Sequence, residues 1–382
     1  MAAPGLAGHG QAGLALTASQ QHSQYFCFVL LYSCLSFSII VSIKDAGAHM
    51  IQKRKFRAPA MFLSGAAFCL ASPALADECR LTRVASLDMT DTGDGRFYVP
   101  VTIEGATELM LVDTGAPATT VEKKTVSDLH LITHRLFEGE FITAGGVEIT
   151  DIAVIHSLGI DQLQAPDVRA LIWPSQPRDP RMAGTLGVDL LGNYDVDLDF
   201  AAHKMNLMSS DHCPGKVVYW TAGAVAVVPI HVVEDGHIIV PVTLDGHEVD
   251  ALLDTGASTT ILHLEAAQNI FGLQPGAPDT PEIGRSQGGT SYYRHTFKTL
   301  ALEGLTIGNP VVTVIPDLMK SKMQQTPTLG SRMSDISEQN GVTDLTLGMT
   351  EMRHLHLYIA YKEQKLYITP ATPPAAAPSG SK

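Results

Sequence analysis

Short β-branched apolar runs, separated by turns rich in Gly, Pro and Asp, fill the chain from about residue 96 to residue 370. This is the pattern of an all-β protein. Strands are predicted over 97–103 and 108–112, joined by a turn at Gly105, with a third starting near Thr119. The same three recur at 238–244, 249–253 and 260–262. The segment HLEAAQNIFGL, His263 to Leu273, has helical spacing and ends at a glycine, so a short helix is predicted there. Gly-Gly pairs at Gly145-Gly146 and Gly288-Gly289, each between strand-like flanks, mark two hairpin tips.

These elements form an internal repeat. Val99-Pro100-Val101-Thr102 falls on Val240-Pro241-Val242-Thr243 at a constant offset of 141, which also carries Gly105 onto Gly246, Leu111 onto Leu252 and Thr119 onto Thr260. A second block sets SLGIDQLQAPDVRALI over LALEGLTIGNPVVTVI. A third sets GTLGVDLLGNYDVDLDFAAHKMNL over LTLGMTEMRHLHLYIAYKEQKLYI, pairing Leu186-Gly187 with Leu347-Gly348 and Lys204 with Lys365. The parts come in the same order in both halves. A first lobe is expected at about 80–210, a connector at 211–224 and a second lobe at about 225–370. The Pro/Ala-rich tail at 371–382 is expected to be unstructured.

Two apolar stretches precede the repeat. Tyr25 to Ile43 is an uncharged run of 19 residues, just long enough to cross a bilayer. The second follows the basic cluster Lys53-Arg54-Lys55-Phe56-Arg57 and ends in Ala74-Leu75-Ala76, the small-x-small pattern of a signal-peptidase site. If translation starts at Met1, residues 25–43 become a possible membrane anchor and the second stretch leads the chain back out. If it starts at Met50, residues 50–76 are one complete signal peptide. The second account is preferred because it leaves no segment idle. Both place the repeat outside the cytoplasm, as a periplasmic or secreted protein that is either free or membrane-tethered.

Residues 1–76 carry a net charge of +4, so their removal takes the chain from −13 to −17. An acidic surface argues against nucleic acid or anionic lipid as a partner. Of five cysteines, Cys79 and Cys213 lie beyond residue 76. In an oxidising compartment they invite a bridge that locks the first repeat closed, on the order of 4–5 kcal/mol in the chain-entropy model. The alternative is two unpaired thiols.

The chemistry lies in Asp-Thr-Gly-Ala, which ends an apolar run twice, at Asp113 in LMLVDTGAPATTV and at Asp254 in ALLDTGASTTIL. Duplication of an aspartate at the end of a buried strand suggests two carboxylates meeting across a pseudo-twofold axis. A buried carboxylate needs donors around it. Thr114 and Thr255 supply hydroxyls able to bond across that axis, and Gly115 and Gly256 let backbone N–H groups approach. Two carboxylates so close cannot both ionise, which leaves one as general base and one as general acid for a shared water. A third copy, Asp91-Thr92-Gly93, follows polar residues and precedes Asp94-Gly95, so it reads as a surface turn.

Other chemistries lack support. There is no GxSxG motif and no HExxH, and His354-Leu355-His356 has no convincing further ligand set. Neither a metal nor another cofactor is expected. The run Asp195-Val196-Asp197-Leu198-Asp199 alternates as one face of an exposed strand and is expected to be solvated.

With those residues in view, the chain resembles the retropepsin-like aspartic peptidases of the two-lobed, single-chain type, similar in plan to pepsins. The resemblance covers about 96–370. It implies two similar β-barrel-like lobes related by a pseudo-twofold axis with a cleft between them, Asp113 and Asp254 as the dyad, and Thr114 and Thr255 interlocked beneath. Ala116 and Ala257 match the retropepsin form of the motif. It also implies that the hairpins at Gly145-Gly146 and Gly288-Gly289 are flaps that close over an extended peptide. Tyr292 and Tyr293 follow the second tip and either contact substrate or pack on the barrel. There are departures. Thr185 and Thr346 stand where the family favours an apolar residue, Pro117 replaces the usual Ser or Asp, and LTLGMTEM has lost the leading Gly and the Asp of GTLGVDLL.

The leading expectation is an exported aspartic endopeptidase acting on peptide or protein substrates, with both lobes in one chain and hence a monomer. The rival is a peptide-binding module of the same fold whose dyad no longer turns over.

Overall fold

A computed structural model describes residues 80–136, 148–174, 179–286, 289–316 and 343–371, and the backbone of 141–142. The segments 1–79, with its candidate leader and Cys79, and 372–382 lie outside the described residues, as do Gly145, Gly146 and Gly288. Among the described residues no helix is long and apolar enough to cross a membrane.

The protein is mainly β, and its two halves repeat one plan. In the first, Phe97–Ile103 and Ala106–Val112 pair antiparallel around a two-residue turn at Glu104-Gly105, where both residues have positive φ, +50° and +86°. In the second, Ile238–Leu244 and His247–Leu253 do the same around Asp245-Gly246, at +45° and +85°. Two successive left-handed residues suit the twist of a tight hairpin, and glycine takes the second place without steric cost. The predicted third strands appear as Thr120–Glu122 and Ile261–His263. The predicted helix is shorter than its pattern, Leu264–Asn269, because Gly272 takes a φ of +66° and turns the chain.

The first lobe closes on itself. Phe97–Ile103, Ala106–Val112, Met182–Leu186, Thr120–Glu122, Leu163–Trp173 and Asp151–Ile160 pair in that order, and the last returns to the first through Thr102 opposite Gly159 and Ile103 opposite Leu158. A six-stranded barrel results. The second lobe lays the corresponding strands in one sheet from Glu282–Arg285 to Leu305–Gly308.

A third sheet joins the lobes. Its six strands run Arg83–Asp88, Lys204–Met208, Asp195–Asp199, Leu355–Ala360, Lys365–Pro370 and Ala226–Pro229. At its centre the halves meet, with Val196 opposite Ile359, Asp197 opposite Tyr358 and Asp199 opposite His356. One continuous apolar core runs through both lobes and the face of this sheet, including Val99, Met110, Leu186, Leu198, Val240, Leu253 and Leu357.

That sheet corrects the expectation of a solvated acidic face. Asp195 and Asp197 are fully buried, and only Asp199 keeps partial exposure. A connector over 211–224, lying on the outer face, covers them. His212 Nε2 lies 2.6 Å from Asp195 Oδ2, which also accepts from Tyr358 at 3.2 Å. Asp197 is held by His356 Nε2 at 2.6 Å, Asn206 Nδ2 at 2.8 Å and the Tyr219 hydroxyl at 2.5 Å. Trp220 stacks on His356 with ring centroids 4.4 Å apart. Strand alternation reveals that these aspartates share a face, not which layer covers it. Cys213, in the same connector, is disulfide-bonded.

Candidate active site

Each Asp-Thr-Gly loop is held by a strand that threads between its two flanks. Met182–Leu186 pairs parallel with Ala106–Val112 and antiparallel with Thr120–Glu122. Leu345–Leu347 repeats this between His247–Leu253 and Ile261–His263. The Asp113 N–H donates to Leu186 O at 3.2 Å and the Asp254 N–H to Leu347 O at 3.0 Å. Gly187 and Gly348 then pass so close to the loops that a side chain has no room. A Cβ would lie 2.6 Å from the Ala118 carbonyl carbon at the first and 2.3 Å from Thr259 O at the second.

A carboxylate braces each loop from behind. Asp189 Oδ1 accepts from the Thr119 N–H at 2.9 Å and its hydroxyl at 2.7 Å. The second lobe, which has no aspartate in the aligned place, uses the next residue. Glu351, buried on the short helix Met349–Met352, accepts from the Thr260 hydroxyl. Its longer side chain makes up the register, so the apparent loss of the family's aspartate is a one-residue displacement.

The loops interlock across the pseudo-twofold axis. The Thr114 hydroxyl donates to Leu253 O at 2.7 Å and accepts from the Thr255 N–H at 3.1 Å. The Thr255 hydroxyl donates to Val112 O at 2.8 Å and accepts from the Thr114 N–H at 3.0 Å. Both threonines are buried, and four backbone groups that face no water are satisfied by two hydroxyls.

Above this knot, Asp113 and Asp254 come together, each close to the other loop's glycine. Gly115 N–H donates to Asp113 Oδ1 at 2.9 Å, and Gly256 and Ala257 N–H donate to Asp254 Oδ1 at 2.8 and 3.0 Å. Each glycine also lies against the opposite carboxylate. A Cβ on Gly115 would sit 2.3 Å from Asp254 Cγ, and one on Gly256 2.2 Å from Asp113 Oδ2. Both aspartates are enclosed by protein but keep a partly accessible edge.

Burial, followed by the charge of Asp254, pushes Asp113 well above the usual carboxylate range, against the pull of Gly115 N–H and Arg96. Burial also raises Asp254, but two backbone N–H groups and His237 oppose it. Burial and the mutual repulsion of two adjacent carboxylates therefore hold one proton on the pair, and its titration belongs to both members.

The aspartyl protease family profile matches residues 99–190 and 240–350, more than half of the 382-residue chain, with one match on each loop-bearing repeat. The chain belongs to the aspartyl protease family. Similar solved structures include an aspartic proteinase from Irpex lacteus, at 13% identity over 76% of this chain and 98% of that one, with a TM-score of 0.44. Basic 7S globulin from soybean is similar at 10% identity over 76% and 96%, with a TM-score of 0.39. No curated protein matches the sequence.

In this member of the family, Asp113, Thr114, Gly115, Asp254, Thr255 and Gly256 all come together. The third Asp-Thr-Gly does not. Asp91 and Gly93 are exposed, and the Asp91 carboxylate caps the Gly93 N–H at 2.6 Å within its own turn. The second hairpin is present, with Gly284 opposite Tyr292, Arg285 opposite Ser291, and Gly289 at a φ of +81°. Tyr292 and Tyr293 are half-buried, and Tyr293 packs against the core. In the first hairpin Phe141 pairs with Ile149 and Ile142 with Glu148.

Two residues at the site escaped the sequence reading. Arg96 Nη1 donates to Gly256 O at 3.3 Å and His237 Nε2 to Gly115 O at 2.9 Å. Their signal was available, because Asp94-Gly95-Arg96 and Asp235-Gly236-His237 stand at the offset of 141 that relates the two loops.

Proposed function

We propose that the protein is an aspartic endopeptidase that hydrolyses peptide bonds with a water activated between Asp113 and Asp254. The supporting observation is the dyad itself, two buried carboxyls brought together by interlocked loops, each against the other loop's glycine, raised in proton affinity and accessible at one edge. Asp254, as the anion, takes a proton from the water as its oxygen attacks the scissile carbonyl carbon. Asp113 donates its proton to the carbonyl oxygen, giving a neutral tetrahedral diol. On collapse, the proton on Asp254 passes to the departing nitrogen, the C–N bond breaks, and a diol hydroxyl returns its proton to Asp113. No covalent intermediate is needed.

The hairpins around 141–149 and 282–293 act as flaps that pair with the backbone of an extended peptide, so the substrate is an unfolded or loop segment of peptide or protein. The apolar stretch ending at Ala76 supports export. Mass spectrometry of the mature N-terminus tests this, with a chain starting at residue 77 expected and a chain retaining residues 25–43 counting against it.

Asp113→Asn and Asp254→Asn should each lower kcat/KM on an unfolded protein substrate by at least roughly 10²–10⁴-fold, the scale of a lost general acid or base. Activity persisting in both variants rejects the dyad. Peptide binding without cleavage by the unaltered protein would identify a silent binding module instead.

A further inference from the structure

The two residues that reach the active-site loops from the opposite lobe form a matched but unequal pair. Their turns superpose in detail. The Thr92 N–H donates to Arg96 O at 2.9 Å and the Val233 N–H to His237 O at 3.0 Å, and Gly95 and Gly236 both have a φ of +88°. Each cation is anchored by the aspartate two residues before it. Arg96 Nη2 lies 2.7 Å from Asp94 Oδ2, and His237 Nδ1 lies 2.9 Å from Asp235 Oδ2, an ion pair that is close but not in line for a hydrogen bond. Gly236 itself is wedged on the other lobe, where a Cβ would stand 2.6 Å from Val188 Cγ2.

We propose that Arg96 and His237 are positioning residues that each clamp the glycine carbonyl of the other lobe's loop, and that the imidazolium of His237 favours the ionised form of the dyad. The inference rests on the endopeptidase reading of the dyad and adds what holds its two loops in place across the axis. A clamped glycine carbonyl fixes the peptide plane that follows it, so Arg96 sets the Ala257 N–H that holds the Asp254 carboxylate, and His237 sets the Ala116 N–H that closes the turn onto Asp113 O. Arg96 performs this at every accessible pH. His237 does so fully only when both ring nitrogens carry protons. The neutral ring either turns a bare Nδ1 to the Asp235 carboxylate or turns a lone pair to Gly115 O.

The charged groups around His237 are Asp235 on its own turn and Asp254 beside the clamped loop. From the packed first-lobe helix, Asp189 is engaged with Thr119. Burial alone would lower the histidine, but Asp235, Gly115 O and Asp254 outweigh it and hold His237 above its ordinary value. The reciprocal effect falls on Asp254, which His237 pulls downward, while Arg96 does the same to Asp113.

The first test follows the imidazole signal of His237 by NMR in carbon-13-histidine-labelled protein, assigned by its loss in His237→Gln. Its titration midpoint should fall in Asp254→Asn and move less in Asp113→Asn. An equal response, or none, overturns the proposal, whether or not the protein cleaves anything. The second test compares pH profiles of kcat/KM for cleavage of an unfolded protein. His237→Gln should move the acid limb to higher pH, because the dyad loses a cation that favours its ionised form, and lower kcat about tenfold with little change in KM. His237→Arg should return the acid limb towards that of the unaltered protein. A His237→Gln profile reduced in height but unmoved would mark a structural contact and sink the proposal. Wild-type protein that binds peptide without cutting it, with the NMR coupling intact, would refute the endopeptidase reading and leave the clamp standing.

Discussion

At the scale of single residues, the site turns on side chains whose worth comes from what they leave satisfied. Thr114 and Thr255 each serve a carbonyl and an N–H of the other loop in a place closed to water. Thr114→Val keeps the shape but strands Leu253 O and the Thr255 N–H. It should cost at least about 2 kcal/mol, at roughly 1–3 kcal/mol per orphaned group, as measured by urea unfolding. Thr114→Ser, which keeps the hydroxyl, should lose less than half of that. Equal losses would show that the methyl packing, not the hydroxyl, carries the contact. The motif residues were legible because one offset repeats the aspartate, the threonine and the glycine together. Arg96 and His237 differ in type, so identity matching passes over them although their positions match.

At the scale of elements, the threading strands Met182–Leu186 and Leu345–Leu347 set the loops in place, and the glycine after each strand permits the approach. Gly348→Ala would force its methyl against the Thr259 carbonyl, which is backbone and cannot swing aside. A loss of about 1–3 kcal/mol, the usual cost of overpacking, is expected in the melting profile, with activity falling alongside as the Asp254 loop shifts. A variant as stable and active as the unaltered protein would mean that the loop gives way freely. Strands around each turn were readable from β-branched runs and turn glycines, since both are local properties. The brace on Thr260 was not. The sequence pattern suggested a missing aspartate, and only the turn of the short helix brings Glu351 to the threonine hydroxyl.

At the scale of the whole molecule, the six-stranded sheet that carries strands of both lobes encloses a polar layer in which Asp195 meets His212. Burial pulls His212 down, but Asp195, Cys213 O and Glu363 outweigh it, so the folded protein holds this proton more tightly than a free histidine does. Burial likewise raises Asp195, with His212 only partly opposing it. Both shifts mean that the folded state binds more protons than the unfolded chain. Stability from His212 is fully present below the ordinary histidine value and is lost as pH rises through its raised folded midpoint, while ionisation of Asp195 costs the folded state above the ordinary carboxylate range. The melting temperature should therefore fall as pH rises past the ordinary histidine value of about 6.5, and His212→Gln should flatten that slope while lowering the acid-side plateau. A pH slope unchanged in His212→Gln would remove this pair as its source.

The amino-acid sequence by itself determined the repeat, the β class, the hairpin turns and the pair of aspartates, because each is written in neighbouring residues or in a fixed spacing between two copies. Tertiary structure alone decided which side of the acidic strand lies in the interior, which carboxylate braces Thr260, and which cation of one lobe touches the loop of the other. Period and propensity act over a few residues. Burial and charge pairing depend on which distant segment the closed fold lays across them.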